Sequence, residues 1–88
     1  MDYQPQDIGV RMSEVTVYGK PGCRACDSTK RQLKKHGVVF NYVDFTQDAE
    51  AAQLLADNEV KAAPYVVAPT GSWSGLDEAE INKLVASL

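Results

Sequence analysis

The sequence predicts an α/β domain with a four-stranded mixed sheet flanked by three helices. Three observations point there: runs rich in β-branched and aromatic residues recur along the chain, apolar residues at helical spacing occupy the stretches between them, and everything fits within 88 residues. The order is strand, helix, strand, helix, strand, strand, helix. A strand, crossover helix and second strand make a right-handed parallel unit, and a later hairpin adds antiparallel strands to the same sheet.

The first strand is "EVTVY", Glu14 to Tyr18, which alternates polar and apolar residues and is ended by Pro21 and Gly22. From Arg24 to about His36 the pattern is helical. Cys26, Thr29 and Leu33 recur on one face, lysines and arginines take the other, and Gly37 supplies the stop. "VVFNYVDF", Val38 to Phe45, has the composition and length of a buried strand. Thr46 or Asp48 can cap a second helix running through Asn58, with Ala51, Leu54 and Leu55 inward. "YVVA" after Pro64 is a third strand, "PTG" a turn and "SWS" a short fourth strand, which together make a hairpin. The closing "DEAEINKLVASL" has Asp77 and, three residues on, Glu80 in a capping-box arrangement. It then places Ile81, Leu84, Val85 and Leu88 on one helical face.

A chain this short builds one core, so a single domain, residues 13–88, carries all function. Residues 1–12 contain Pro5 and Gly9 without periodicity and read as a flexible tail, with Met12 an alternative start. Hydrophobic residues at 44% and charged residues at 24% place the chain among folded rather than disordered proteins. No apolar run approaches the roughly 20 residues of a membrane span, and the start lacks the blocks of a signal peptide. A cytoplasmic monomer is expected. In a reducing cytosol, two cysteines three positions apart speak for redox or metal chemistry before a permanent staple.

The net charge of −3 conceals a polarity along the chain. Six of nine basic residues, Lys20, Arg24, Lys30, Arg31, Lys34 and Lys35, lie in one segment, while positions 36–88 hold eight acids against Lys61 and Lys83. One basic helix face with so acidic a remainder argues against nucleic-acid binding and fits an acidic protein partner better.

The chemistry-bearing residues are Cys23 and Cys26. A thiol reacts as its thiolate, and unpaired amides with the positive macrodipole end at a helix start stabilise that anion. Cys23 occupies this place, with Lys20 and Arg24 adding positive charge. Cys26 is nearly one turn further, on the same side but deeper, so it can close a disulfide with Cys23 yet is poorly placed to attack outside molecules. The division of labour follows: Cys23 attacks a substrate disulfide and Cys26 resolves the mixed disulfide. A packed or crosslinked pair is the bland alternative. Metal binding is another, although zinc wants four ligands and the chain offers two cysteines and His36 at the far helix end, so a zinc or iron–sulfur site would need two chains. Pro64 either begins an edge strand or forms a cis peptide that turns the Ala63 backbone toward an incoming chain. Trp73 reads as a core aromatic under the last helix, as an exposed docking anchor, or as both.

"VTVYGKPGCRAC", the proline in "AAPYVV" and "WSG" before the final helix together resemble the NrdH-type redoxins, small glutaredoxin-like proteins of the thioredoxin superfamily. The match runs from Val15 to about Leu84. It implies a thioredoxin fold and a dithiol–disulfide oxidoreductase with no bound cofactor, which uses NADPH indirectly. Electrons would come from thioredoxin reductase and pass to a class Ib ribonucleotide reductase. By the same likeness Cys23 is the nucleophile, Cys26 the resolving thiol, Pro64 the cis-proline, and Trp73, Ser74 and Gly75 the segment that shapes the partner surface.

The sequence also departs from that pattern. Arg24 and Ala25 stand between the cysteines where Met or Val, then Pro or Gln, are usual. Leu76, Asp77 and Glu78 replace an aromatic, Arg and Pro. Gly75 and Asp77 match the glutaredoxin arrangement that holds the α-amino end of glutathione, and Lys20 matches a lysine that contacts a glutathione carboxylate. Reduction of mixed disulfides with glutathione is therefore the alternative activity, although Ser74 stands where glutaredoxins have a second glycine.

Overall fold

The computed structural model describes residues 15–87. The expected tail 1–12, the start of the first strand at Glu14, and Leu88 lie outside the described residues. The elements are β1 (Thr16–Gly19), α1 (Arg24–Lys35), β2 (Asn41–Asp44), α2 (Ala49–Asp57), β3 (Tyr65–Ala68), β4 (Gly71–Ser74) and α3 (Glu78–Ser87). They form one mixed sheet in the order β2-β1-β3-β4. β1 and β2 run parallel because a whole helix connects them, whereas the two-residue link Pro69–Thr70 folds β4 back antiparallel on β3.

The register places Tyr42, Val17, Val66 and Trp73 in one row across the sheet. Directly opposed residues project from the same face, so this row meets a single layer of helices. Val17 and Val66 are fully buried there with Leu33 of α1 and with Ile81 and Leu84 of α3, and Val15, Val38 and Trp73 complete the core. α2 covers the other face: Ala51 and Leu55 are buried, and half-buried Leu54 lines a small cavity with Tyr18 and Val43.

Local sequence accounts for the helix limits. At the end of α1, Gly37 takes φ +73°, a conformation that a side chain disfavours. It lets the Val38 amide donate to the Leu33 carbonyl at 2.9 Å and its own amide to Lys34 at 3.0 Å. Of the two caps considered for α2, Asp48 serves: its Oδ1 accepts the Ala51 amide at 3.0 Å. Asp77 does the same for α3, accepting from the Glu80 amide at 3.1 Å.

Residues 38–45 correct an expectation. They do not form one buried strand: only Asn41–Asp44 pair, Val39 is 51% exposed and Tyr42 38%. β2 is an edge strand of the sheet, and Val38, although buried, is already committed to closing α1. Composition therefore indicated a strand correctly and its burial wrongly.

Tyr42 fills part of this edge. Lys30 Nζ sits 4.0 Å from its ring centroid and 3.7 Å from Asp27 Oδ1, and a Cβ at Gly19 would collide with the Tyr42 hydroxyl. Burial, then the carboxylates of Asp44 and Asp27, raise the Tyr42 pKa above its ordinary 10.0. The folded protein thus holds this proton to higher pH than the unfolded chain does. The associated stability is complete below about pH 10 and is lost as pH rises through the folded-state pKa. Tyr42→Phe should remove this part of the alkaline decline, so the urea midpoint of the parent should fall relative to that of the variant as pH is raised above about 10. A constant gap would refute it.

Candidate active site

Tyr18 pairs with Tyr65, and Tyr65 with Ser74. The chain leaving β1 toward Cys23, the chain entering β3 through Ala63 and Pro64, and the chain leaving β4 at Gly75 therefore emerge at one end of the sheet. α1 and α3 both start there.

Cys23 is the N-cap of α1, with extended backbone (φ −100°, ψ 110°), and its Sγ accepts the Cys26 amide at 3.1 Å. A sulfur in this position takes the place of a capping oxygen and faces the unpaired amides of the first turn, where negative charge is favoured. Cys23 is half-buried, while Cys26 is wholly buried beneath it. The two are joined in a disulfide with Cα atoms 5.2 Å apart, so the structure is that of the oxidised form. The expected geometry, one accessible sulfur with a second behind it, is what α1 provides.

The Ala63–Pro64 peptide is cis, the proline is fully buried, and the strand it precedes lies inside the sheet rather than at its edge. The Pro64 carbonyl accepts the Gly75 amide at 2.7 Å. Gly75 has φ +79°, so a residue without a Cβ is favoured at the point where the "WSG" segment is tied to the proline. Of the readings of Trp73, the structure shows the core aromatic: the residue is 7% exposed and belongs to the central cluster, and its indole Nε1 has no hydrogen-bond partner among the described residues.

Lys20 and Arg24 are exposed on either side of Cys23 in the chain, and Asp77 stands at the same end, its Oδ1 engaged in capping α3. Lys20 also borders a groove of about 370 Å³ walled by Phe45, Leu55, Val60 and Ala63, with Lys61 as its second cation. The sequence does not single out Lys61, since no local pattern marks it and only the fold brings it to the same groove as Lys20. His36 caps the far end of α1, away from the sulfurs. Among the described residues no group of three or more His, Cys, Asp and Glu could hold a metal ion. Nor is any helix among them long and apolar enough to cross a membrane.

Two sulfurs that can open and close on each other at the mouth of a helix exchange electrons with other disulfides. Together with this fold they define a thiol–disulfide oxidoreductase of the thioredoxin type. A model of the Glutaredoxin family matches residues 15–69. The glutaredoxin-like protein NrdH of Escherichia coli (strain K12) is 33% identical over 70 residues, covering 80% of this chain and 86% of that one. NrdH of Lactococcus lactis subsp. cremoris (strain MG1363) is 30% identical, with 80% and 97% covered. The solved structure of Escherichia coli NrdH-redoxin superposes with a TM-score of 0.77 at 33% identity, covering 80% of this chain and 92% of that chain. The chain belongs to the glutaredoxin family, among its NrdH-like redoxins.

Proposed function

We infer that this redoxin carries electrons in the cytoplasm from thioredoxin reductase to a class Ib ribonucleotide reductase, with Cys23 as nucleophile and Cys26 as resolving thiol. The observation that supports this most is the pairing of an N-capping, accessible Cys23 with a wholly buried Cys26 in a chain related to NrdH proteins over 80% of its length. The related Escherichia coli NrdH-redoxin is described by its thioredoxin-like activity profile, which fits a flavoprotein reductase as donor.

In the reduced protein the Cys23 thiolate attacks one sulfur of the acceptor disulfide. That S–S bond breaks, a Cys23–acceptor bond forms, and the first acceptor thiol leaves with a proton from solvent. Cys26 then loses its proton and attacks Cys23 Sγ, closing the internal disulfide and releasing the second thiol. Two electrons pass to the acceptor, and the reductase restores them from NADPH. Ala63 and the segment Trp73, Ser74 and Gly75 shape the surface that the acceptor chain meets, with an extended segment pairing to the Ala63 backbone. Burial of the Trp73 ring makes its part that of a support beneath Ser74 and Gly75.

Glutathione is the second reading, favoured by one observation: Lys20 and Lys61 face a single apolar groove beside Ala63, where a carboxylate-bearing thiol could lie. A coupled assay decides between them. NADPH consumption is compared with thioredoxin reductase and with glutathione plus glutathione reductase, using insulin as acceptor. Turnover with the first system is expected, and turnover only with the second would reverse the order.

A further inference from the structure

We propose that the outer face of α1 is a docking surface for an acidic protein partner, which it steers so that the partner's disulfide arrives at Cys23. The inference rests on thiol exchange at Cys23 and on no particular donor or acceptor. Arg24, Arg31 and Lys35 follow one another at i, i+7 and i+11, directly opposite the buried face of Cys26, Thr29 and Leu33. Lys34 flanks this stripe, which begins beside the reactive sulfur and runs about 16 Å along the helix. All four are exposed. Lys30 is held by Asp27 and Tyr42, but none of Lys20, Arg24, Arg31, Lys34 and Lys35 has an ion-pair partner among the described residues.

Folding accounts for part of this pattern, since Lys34 and Lys35 in the last turn meet the negative end of the helix macrodipole, but not for all of it. A solvated helix gains from alternating charges, whereas α1 sets Lys30 against Lys34 and Arg31 against Lys35 at i,i+4, arrangements that are destabilising. The other helices carry the opposite sign, with Glu50 and Asp57 on α2 and Glu78 and Glu80 on α3. A chain of net charge −3 would repel an acidic protein from most directions. Concentrating the cations on the helix that carries Cys23 leaves one attractive approach, and that approach leads to the sulfur.

The test follows single-turnover oxidation of the reduced protein by three acceptors: two synthetic peptides of equal length with one internal cystine each, flanked by glutamates or by lysines, and the uncharged hydroxyethyl disulfide. At about 20 mM salt the glutamate peptide should react about tenfold faster than the lysine peptide, the gap closing at about 0.5 M as charges are screened. The triple variant R31E/K34E/K35E should invert the preference, and the milder R31Q/K35Q should shrink it, with hydroxyethyl disulfide rates unchanged in both. Equal peptide rates at low salt, or a preference indifferent to either variant, would overturn the proposal. So would a duplex oligonucleotide that blocks the glutamate peptide at lower concentration than a redox-inert glutamate peptide does, since the face would then belong to nucleic acid. If even hydroxyethyl disulfide is not reduced, thiol exchange itself fails; if it is reduced with no charge preference among peptides, only the docking surface does.

Discussion

Cys23→Ser is expected to lower the rate of disulfide reduction by about three orders of magnitude or more, the scale seen when a nucleophile is removed outright. The expectation follows from position. Cys23 caps α1 with its sulfur toward the free amides of the first turn and is only half-buried, while Cys26 is wholly buried and bonded to Cys23. The remaining thiol cannot substitute, because substitution would require the start of α1 to open. Cys26→Ser should behave differently. Its first attack survives, resolution does not, and the acceptor should accumulate as a covalent adduct detectable by intact-mass spectrometry and released by added dithiothreitol. The two variants read together separate the roles. Adduct formation by Cys23→Ser, or undiminished turnover by either variant, would contradict the assignment.

Much of this site was legible before the structure because it depends on short-range spacing. Two cysteines three apart before a helical run fix their shared side, and the apolar positions of α1 fix which sulfur lies deeper; Cys26, Thr29 and Leu33 are all buried as that periodicity requires. The cap at Asp77 was legible for the same reason, since a cap is a contact over three residues, whereas at α2 the sequence left Thr46 and Asp48 both open and the fold selects Asp48. The state of the Ala63–Pro64 bond was not, because a proline before a strand is compatible with either isomer, and only the likeness to NrdH-type redoxins inclined the reading to cis. Long-range features were hidden altogether. That Lys61 and Lys20 line one groove depends on how the loop after α2 returns past β1. That the strand at Asn41–Asp44 is an exposed edge depends on strand order, which composition does not encode.

The packing of Trp73 gives the second large effect. Its ring ends the row from Tyr42 through Val17 and Val66, beneath α3, and is almost wholly removed from water. Trp73→Ala should cost about 3–5 kcal/mol, transfer and cavity terms combined. A domain of this size has roughly 4–13 kcal/mol in all, so the variant should stand near the limit of folding at room temperature. Trp73→Phe retains most of the ring volume and deletes an indole N–H that has no partner among the described residues, so part of the lost packing is offset by relief of an unsatisfied donor. A cost of about 1 kcal/mol is expected. Since Trp73 is the chain's one tryptophan, unfolding is best followed by far-UV circular dichroism in urea. The phenylalanine variant also separates support from contact: if the indole serves only to hold β4, and with it Ser74 and Gly75 against the Pro64 carbonyl, reduction of insulin should stay within about twofold of the parent. A tenfold loss in a variant that remains folded would mean that the indole itself meets the partner.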